Sequence, residues 1–245
     1  MYGPITNTKV YIHEFVDIVG HHRAEYMHHM TANWSPIGQE ERHQRCFGVF
    51  AVLGSTGRWP EVVNIWEHDG WDGLADSFGT EAVGSGAQDP KLARWWSKAA
   101  EFRRGGIDRI LEPAPWTRSI EELCGAGVRG QCYAHELIRV EAGAASDFLE
   151  RTRERADALA RRHHWDLAGA WRTAMAYDDE CILLWAVPTW RAWSAFETDG
   201  EDRAWRLGAA DVVQTWQRTL LVNAPLSPLR TGRQPSRDDR TDWED

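Results

Sequence analysis

A five-residue motif recurs at long range. Tyr11-Ile12-His13-Glu14-Phe15 returns as Tyr133-Ala134-His135-Glu136-Leu137, 122 positions on, each a Tyr, a His-Glu pair and an apolar residue in the same spacing. Val62-Val63-Asn64-Ile65-Trp66, with Trp71 five residues later, returns 119 positions on as Cys181-Ile182-Leu183-Leu184-Trp185 with Trp190. Trp95 and the stretch Ile110-Leu111-Glu112-Pro113-Ala114-Pro115 return 110 positions on, as Trp205 and Leu220-Leu221-Val222-Asn223-Ala224-Pro225. The four matches keep their order, and the drift in offset is that of short insertions and deletions. Self-similarity of this kind predicts one supersecondary unit of roughly 110 residues used twice.

Periodicity gives the unit its elements. Residues 9–18 and 46–53 are β-branched and aromatic runs, as are 61–68 and 107–112, and they read as strands. The Gly54-Ser55-Thr56-Gly57 cluster turns the second run into the third. Helical patterns cover 21–45, interrupted at Ser35-Pro36, then 71–79 and 90–104. The second copy reads as a strand over 132–140, a helix over 144–164 and a hairpin over 167–187 turning at Asp178-Asp179. Helices over 189–197 and 202–217 follow, then a strand over 218–223.

Strand-helix-strand-strand-helix-strand is the ferredoxin-like motif, whose sheet carries helices on one face only. The bare face has to be buried, and two such sheets can close a barrel between them. The expected fold class is therefore α+β: tandem ferredoxin-like repeats forming a pseudo-dimeric α/β barrel. The boundaries read as 1–116 for the first repeat, 117–130 for a Gly-containing linker, 131–226 for the second repeat and 227–245 for a polar, Arg/Asp-rich tail without apolar period, expected to be disordered.

Three stretches resemble the NIPSNAP family, within the dimeric α/β-barrel superfamily. VVNIWEHDGWDGLADSF (62–78) is similar to that family's strand with an L-W pair followed by a short helix. VYIHEFVDIVG (10–20) is similar to its first strand, and ILEPAPW (110–116) to its closing strand. The family's Arg and Tyr on strand one stand here as His13 and Phe15, and its Tyr after the L-W-x stands as His68. The resemblance implies an α/β barrel. The superfamily's members include cofactor-independent monooxygenases, isomerases and lyases acting on small hydrophobic molecules, as well as haem-binding enzymes.

Composition removes other classes. A net charge of −9 argues against nucleic acid or an anionic membrane as partner, since both need a basic face. No apolar run is long enough to span a bilayer, and no secretory signal opens the chain. The four cysteines form no C-x-x-C pair, which fits a reducing compartment and a cytoplasmic protein. No G-x-S-x-G, P-loop or G-x-G-x-x-G is present, so no nucleotide cofactor is expected.

Strand alternation sets Asn64, Trp66 and His68 on one face of their strand, and the second copy has Leu183, Trp185 and Val187 there. That break in the repeat marks repeat one as the polar side. His13 and Glu14 cannot share a face, nor can His135 and Glu136, so either the imidazoles or the carboxylates line the barrel, and the sequence leaves open which. A buried Glu suits a general base and a His an acid, base or ligand near neutrality. The His21, His22, His28 and His29 cluster does not read as a metal site: His21 and His28 lie about 10.5 Å apart along a helix. No metal is expected. Of the fifteen Trp residues, Trp95, Trp96, Trp205 and Trp216 read as helical and packed on the sheet.

The sequence therefore predicts a small-molecule enzyme of barrel type, working by cofactor-independent acid/base chemistry (monooxygenase, isomerase or lyase) on a hydrophobic or aromatic molecule. His13, Glu14, His68 and Asn64 are its candidate catalytic residues. Tyr11, Trp66, His135, Glu136, Trp171 and Trp185 are candidates for contact with substrate. The alternatives are a haem-binding barrel with a His such as His135 as axial ligand, and a non-catalytic ligand-binding or scaffold protein. Either a monomer or a homodimer is compatible with two repeats in one chain.

Overall fold

The computed structural model describes residues 6–177 and 179–242, with Glu201 described through its backbone. Eight strands form a closed antiparallel barrel: β1 (Val10–Ile18), β2 (Gln44–Val52), β3 (Glu61–His68), β4 (Arg103–Pro113), β5 (Cys132–Val140), β6 (Asp166–Ala174), β7 (Glu180–Val187) and β8 (Val213–Asn223). Their order around the barrel is β1-β3-β2-β8-β5-β7-β6-β4. The helices are α1 (Arg23–His28), α2 (Ser35–Glu41), α3 (Gly70–Glu81), α4 (Ala93–Phe102), α5 (Ile120–Gly125), α6 (Ala145–His163), α7 (Trp190–Asp199), α8 (Glu201–Gly208) and α9 (Pro228–Thr231). Among the described residues no helix is long and apolar enough to cross a membrane.

Each half of the barrel has the same pairing. β1 lies between β3 and β4 in the first half as β5 lies between β7 and β8 in the second, and β2–β8 and β4–β6 contacts close the ring. Register shifts fall at matching places, at Asp17/Ile18 on β1 and Arg139/Val140 on β5. Bulges also match, at Cys46/Gly48 on β2 and Leu167/Gly169 on β6. The bulge glycines serve close approach. A Cβ on Gly48 would lie 2.3 Å from the Phe50 ring, and one on Gly169 would lie 1.9 Å from the Trp171 ring.

Both faces of the sheet are covered. Inside, Tyr11, Phe47, Phe50, Val63, Ile65, Tyr133, Trp171 and Leu184 form one apolar cluster. Outside the first half, Tyr26, Trp34, Trp66 and Trp95 pack beneath α1, α2 and α4. Outside the second, Phe148, Trp165, Trp185 and Phe196 pack beneath α6 and α7. Every residue of β3 and β7 is buried as a result. Full burial of one such aromatic side chain stabilises the fold by about 2–3 kcal/mol.

Three sequence expectations are corrected here. The helical run across Ser35-Pro36 is continuous, because the turn His29–Trp34 widens to π geometry and so accommodates a proline that has no N–H and crowds the preceding turn. The closing strands begin earlier than expected: α4 stops at Phe102 and α8 at Gly208, and residues 103–106 and 213–217 are strand. Gly105-Gly106 and the β-branched Val213 and Thr215 account for that, and Trp216 consequently lies on β8, edge-on to Trp205. The segment 227–242 is seated rather than loose. Leu229 and Ser227 are fully buried, and Gln234 donates to the Cys46 carbonyl at 2.8 Å and accepts from its N–H at 3.0 Å. Polar composition hid an anchoring set of specific contacts. The expected turn at Asp178-Asp179 falls partly outside the described residues.

Candidate active site

Around the ring three strands separate β1 from β5 on either side, so the two are diametrically opposed and run in the same direction. Matching residues on them therefore meet at the same height across the barrel. His13 and His135 are such a pair. Their Nε2 atoms lie 2.9 Å apart, and the two side chains are 0% and 1% exposed. The Phe15 ring stands edge-on to both imidazoles, 4.7 Å from His13 and 5.4 Å from His135.

Burial pushes both imidazoles below the ordinary histidine range. His135 and Arg109 push His13 further down. Arg109 acts likewise on His135, partly offset by Glu136, leaving it at about 4. Both rings are therefore neutral near pH 7, and a neutral pair at this distance shares one proton: one Nε2–H donates and the other Nε2 accepts.

Above the pair the barrel opens into a cavity of about 420 Å³. His135 reaches its wall; so do Phe15 and Leu137. Arg109, next to His13 in the β1–β4 register, also lines it. Its guanidinium is held from one side, Nε 2.6 Å and Nη2 3.4 Å from the Glu180 carboxylate, and Thr173 donates to the same carboxylate at 2.9 Å. Arg109 Nη1 is buried and has no hydrogen-bond partner. At the rim Arg58 pairs with Asp17 and lies 3.9 Å from Glu61. The opposite end is closed: Tyr11 and Phe47 pack edge-on against Trp171, and Tyr11 donates to Glu67 at 3.0 Å.

The imidazole of each Tyr-x-His-Glu motif thus faces the barrel and the carboxylate faces the helices. Glu14 accepts from Trp66 Nε1 at 2.7 Å and Asn64 Nδ2 at 2.8 Å beneath α1. Glu136 accepts from Trp185 Nε1 at 3.0 Å and pairs with Arg155 at 2.9 Å and Arg218 at 2.6 Å. His68 is also on the helix side, accepting from Gln44 Nε2 at 3.2 Å, with burial pushing it down to about 4. The expected grouping of His13 with Asn64 and His68 is corrected accordingly: those two lie on the far side of the sheet. Tyr11 and Trp171 do line the interior, at its closed end. Arg109, Glu180 and Thr173 have no signal in the sequence, where residues 107–112 read only as a strand. His29, from the cluster judged unlike a metal site, stacks on Trp95 at 4.6 Å. Among the described residues no three His, Cys, Asp or Glu side chains gather in a way that could hold a metal ion.

No protein-family model matches the sequence, and no curated protein matches it either. Solved structures do match in shape. A candidate monooxygenase from Lactobacillus acidophilus superposes with a TM-score of 0.60 at 9% identity, covering 94% of this chain and 97% of that one. An anthrone oxidase-like protein gives 0.59 at 10%, covering 89% and 92%. A candidate chlorite dismutase gives 0.50 at 9%, covering 91% and 98%. The chain has the dimeric α/β-barrel fold. At such identities the likeness carries the fold alone, and the NIPSNAP resemblance finds no counterpart in it. His13 occupies the Nε2 position of His135, so haem could not be held through that nitrogen while the pair is intact.

Proposed function

We propose that this protein is a small-molecule enzyme that moves a proton on a hydrophobic or aromatic substrate bound at the open end of its barrel. The observation that carries the reading is the His13–His135 contact at the foot of a cavity. Two neutral imidazoles, kept dry and joined by one hydrogen bond, form a proton-accepting unit. His135 is the member that meets substrate. With Nε2 engaged by His13, its Nδ1 takes the proton from a substrate carbon, the bonding pair stays on that carbon, and the shared Nε2 proton crosses to His13. The positive charge then rests one ring away from the substrate, and returning the proton to another carbon of the substrate completes an isomerisation without a cofactor.

The remaining candidate residues act through position. Tyr11 and Trp171 pack the barrel interior on the other side of the histidine pair and seal its opposite end. Glu14 with Asn64 and Trp66, and Glu136 with Trp185, hold β1 and β5 from the helix side, so that the imidazoles meet. In this reading the two halves are diverged copies of one unit, and the active site is made where their first strands meet.

The test uses 5-nitrobenzisoxazole, whose ring opens to a coloured phenolate when any positioned base removes its carbon-bound proton. The expected result is turnover above buffer that falls by roughly 10²-fold or more in His135→Gln. Turnover that His135→Gln leaves unchanged would sink the assignment.

A further inference from the structure

The guanidinium beside the histidine pair carries a more specific reading, which rests on the cavity being the substrate site. Arg109 is pinned side-on by Glu180, using Nε and Nη2, and Glu180 is itself held by Thr173. The clamp leaves Nη1, on a side chain only 10% exposed, buried without a hydrogen-bond partner, and Arg109 is one of the residues that line the cavity. An unpartnered buried donor is costly to a fold, so a donor held in this way is one that a bound acceptor would satisfy. Its neighbours indicate what kind of acceptor. The charged groups at the cavity and its clamp are Asp17, Glu61 and Glu180 against Arg58 and Arg109, three carboxylates to two guanidiniums. A ligand anion would meet no net positive field there. An uncharged carbonyl oxygen would meet a rigid N–H with no such penalty.

We propose that Arg109 is the oxygen-binding residue of the barrel cavity and that the ligand it selects is an uncharged carbonyl compound rather than a carboxylate. Arg109 Nη1–H donates to the carbonyl oxygen. When His135 removes a proton from the adjacent carbon, that bonding pair becomes the new C=C bond, and the carbonyl π pair moves onto the oxygen, where Arg109 holds the developing charge. No oxidant or metal enters the step. The clamp fixes the donor before the ligand arrives, which is the condition for such a donor to favour the charged intermediate over the ground state.

The experiment compares two bicyclic probes of similar size, the ketone 1-tetralone and the anion 1-naphthoate. Binding is followed by calorimetry, and the carbonyl stretch of bound 1-tetralone by infrared difference spectroscopy. The native protein should bind the ketone at least about tenfold more tightly, with its carbonyl band shifted to lower frequency. Arg109→Met should weaken the ketone by roughly ten- to a hundredfold and abolish the band shift. Glu180→Gln, which leaves the Arg109 charge uncompensated, should raise the affinity for 1-naphthoate and narrow the preference. A native protein that binds 1-naphthoate as tightly as the ketone overturns the proposal, as does a band shift that persists in Arg109→Met. If Arg109→Met does not fold, an unchanged preference in Glu180→Gln overturns it alone. His135→Gln separates the two readings: loss of base catalysis toward 5-nitrobenzisoxazole with no ketone preference in the native protein leaves the active site standing and removes Arg109 from it.

Discussion

Glu14 and Glu136 stand at matching positions on β1 and β5 and each accepts an indole N–H, from Trp66 at 2.7 Å and from Trp185 at 3.0 Å, yet their acidities move in opposite directions. Burial raises both. For Glu14 the neighbouring Asp108 adds to the rise, and the Trp66 and Asn64 hydrogen bonds offset only part of it. For Glu136 the paired Arg155 and Arg218 reverse it and bring the carboxyl to about 2. Arg155 in turn lies over the rings of Trp185, Trp205 and Trp216, with its cation 4.4 Å from the Trp205 centroid.

Removing charge at the two sites should therefore have unequal effects. Glu136→Gln leaves two buried guanidiniums with Asp202 as the carboxylate they still share, and should destabilise the fold by about 3 kcal/mol. Glu14→Gln keeps an acceptor for Trp66 and Asn64, sheds a carboxylate that burial disfavours, and should stay within about 1 kcal/mol of the native protein. Urea unfolding at pH 7 measures both, and equal losses would count against the asymmetry.

The same groups set the acid limit of the fold. His135 is depressed from 6.5 to about 4, so its share of stability is complete above pH 6.5 and is lost as pH falls from 6.5 to about 4. Glu136 is depressed from 4.5 to about 2, so its share is lost in a second window as pH falls from 4.5 to about 2. Each amounts to about 2–4 kcal/mol when fully expressed. Glu14, being raised, works the other way and loses stability as pH climbs above 4.5. Nitrogen-15 spectra of labelled histidine should show neither His13 nor His135 titrating near pH 6.5. In His135→Gln the fall in stability between pH 6.5 and 4 should shrink.

The geometry also makes a spectroscopic prediction about haem. With His13 on its Nε2, His135 cannot offer iron that nitrogen while the pair is intact. Haemin added to the native protein and to His135→Ala should give the same absorption spectrum. A Soret band that shifts only when His135 is present would show that the pair opens and accepts iron.

The strands were legible because β-branched and aromatic runs are rare outside sheets, and the Tyr-x-His-Glu pair correctly implied that imidazole and carboxylate face opposite ways. Which way was not legible, for a physical reason. Strand alternation assigns faces when one side is wet and the other dry. Here the barrel buries one side and the helices bury the other, so β3 carries apolar residues on both and its pattern says nothing about inside or outside. Arg109 was hidden differently: its meaning comes from Glu180, 71 positions away, and no local pattern joins them. Asn64 and His68 are polar interruptions of an apolar row, and Asn64 Nδ2 bonds to Tyr26 and Glu14 while His68 Nε2 bonds to Gln44 beneath the helices.

The C-terminal segment gives the last test. Leu229 is fully buried against the closed end of the barrel, and Tyr133 donates to its carbonyl at 3.0 Å while accepting from Gly130 N–H at 3.0 Å. Ser227 accepts from the Val49 N–H at 3.3 Å, and Gln234 extends the edge of β2 through both polar groups of Cys46. Truncation after Leu226 would expose the apolar floor beneath Tyr133 and remove these partners from backbone and side-chain groups. The expected loss is at least about 3 kcal/mol, combining one buried Leu with a vacated Tyr hydroxyl partner, whereas truncation after Asp239 should cost less than about 1 kcal/mol, because among the described residues it removes Thr241 and Asp242 are exposed and Arg240 is half-buried. Thermal unfolding of the two truncated chains separates these outcomes. A protein cut after Leu226 that melts with the full chain would show that the segment rests on the barrel without closing it.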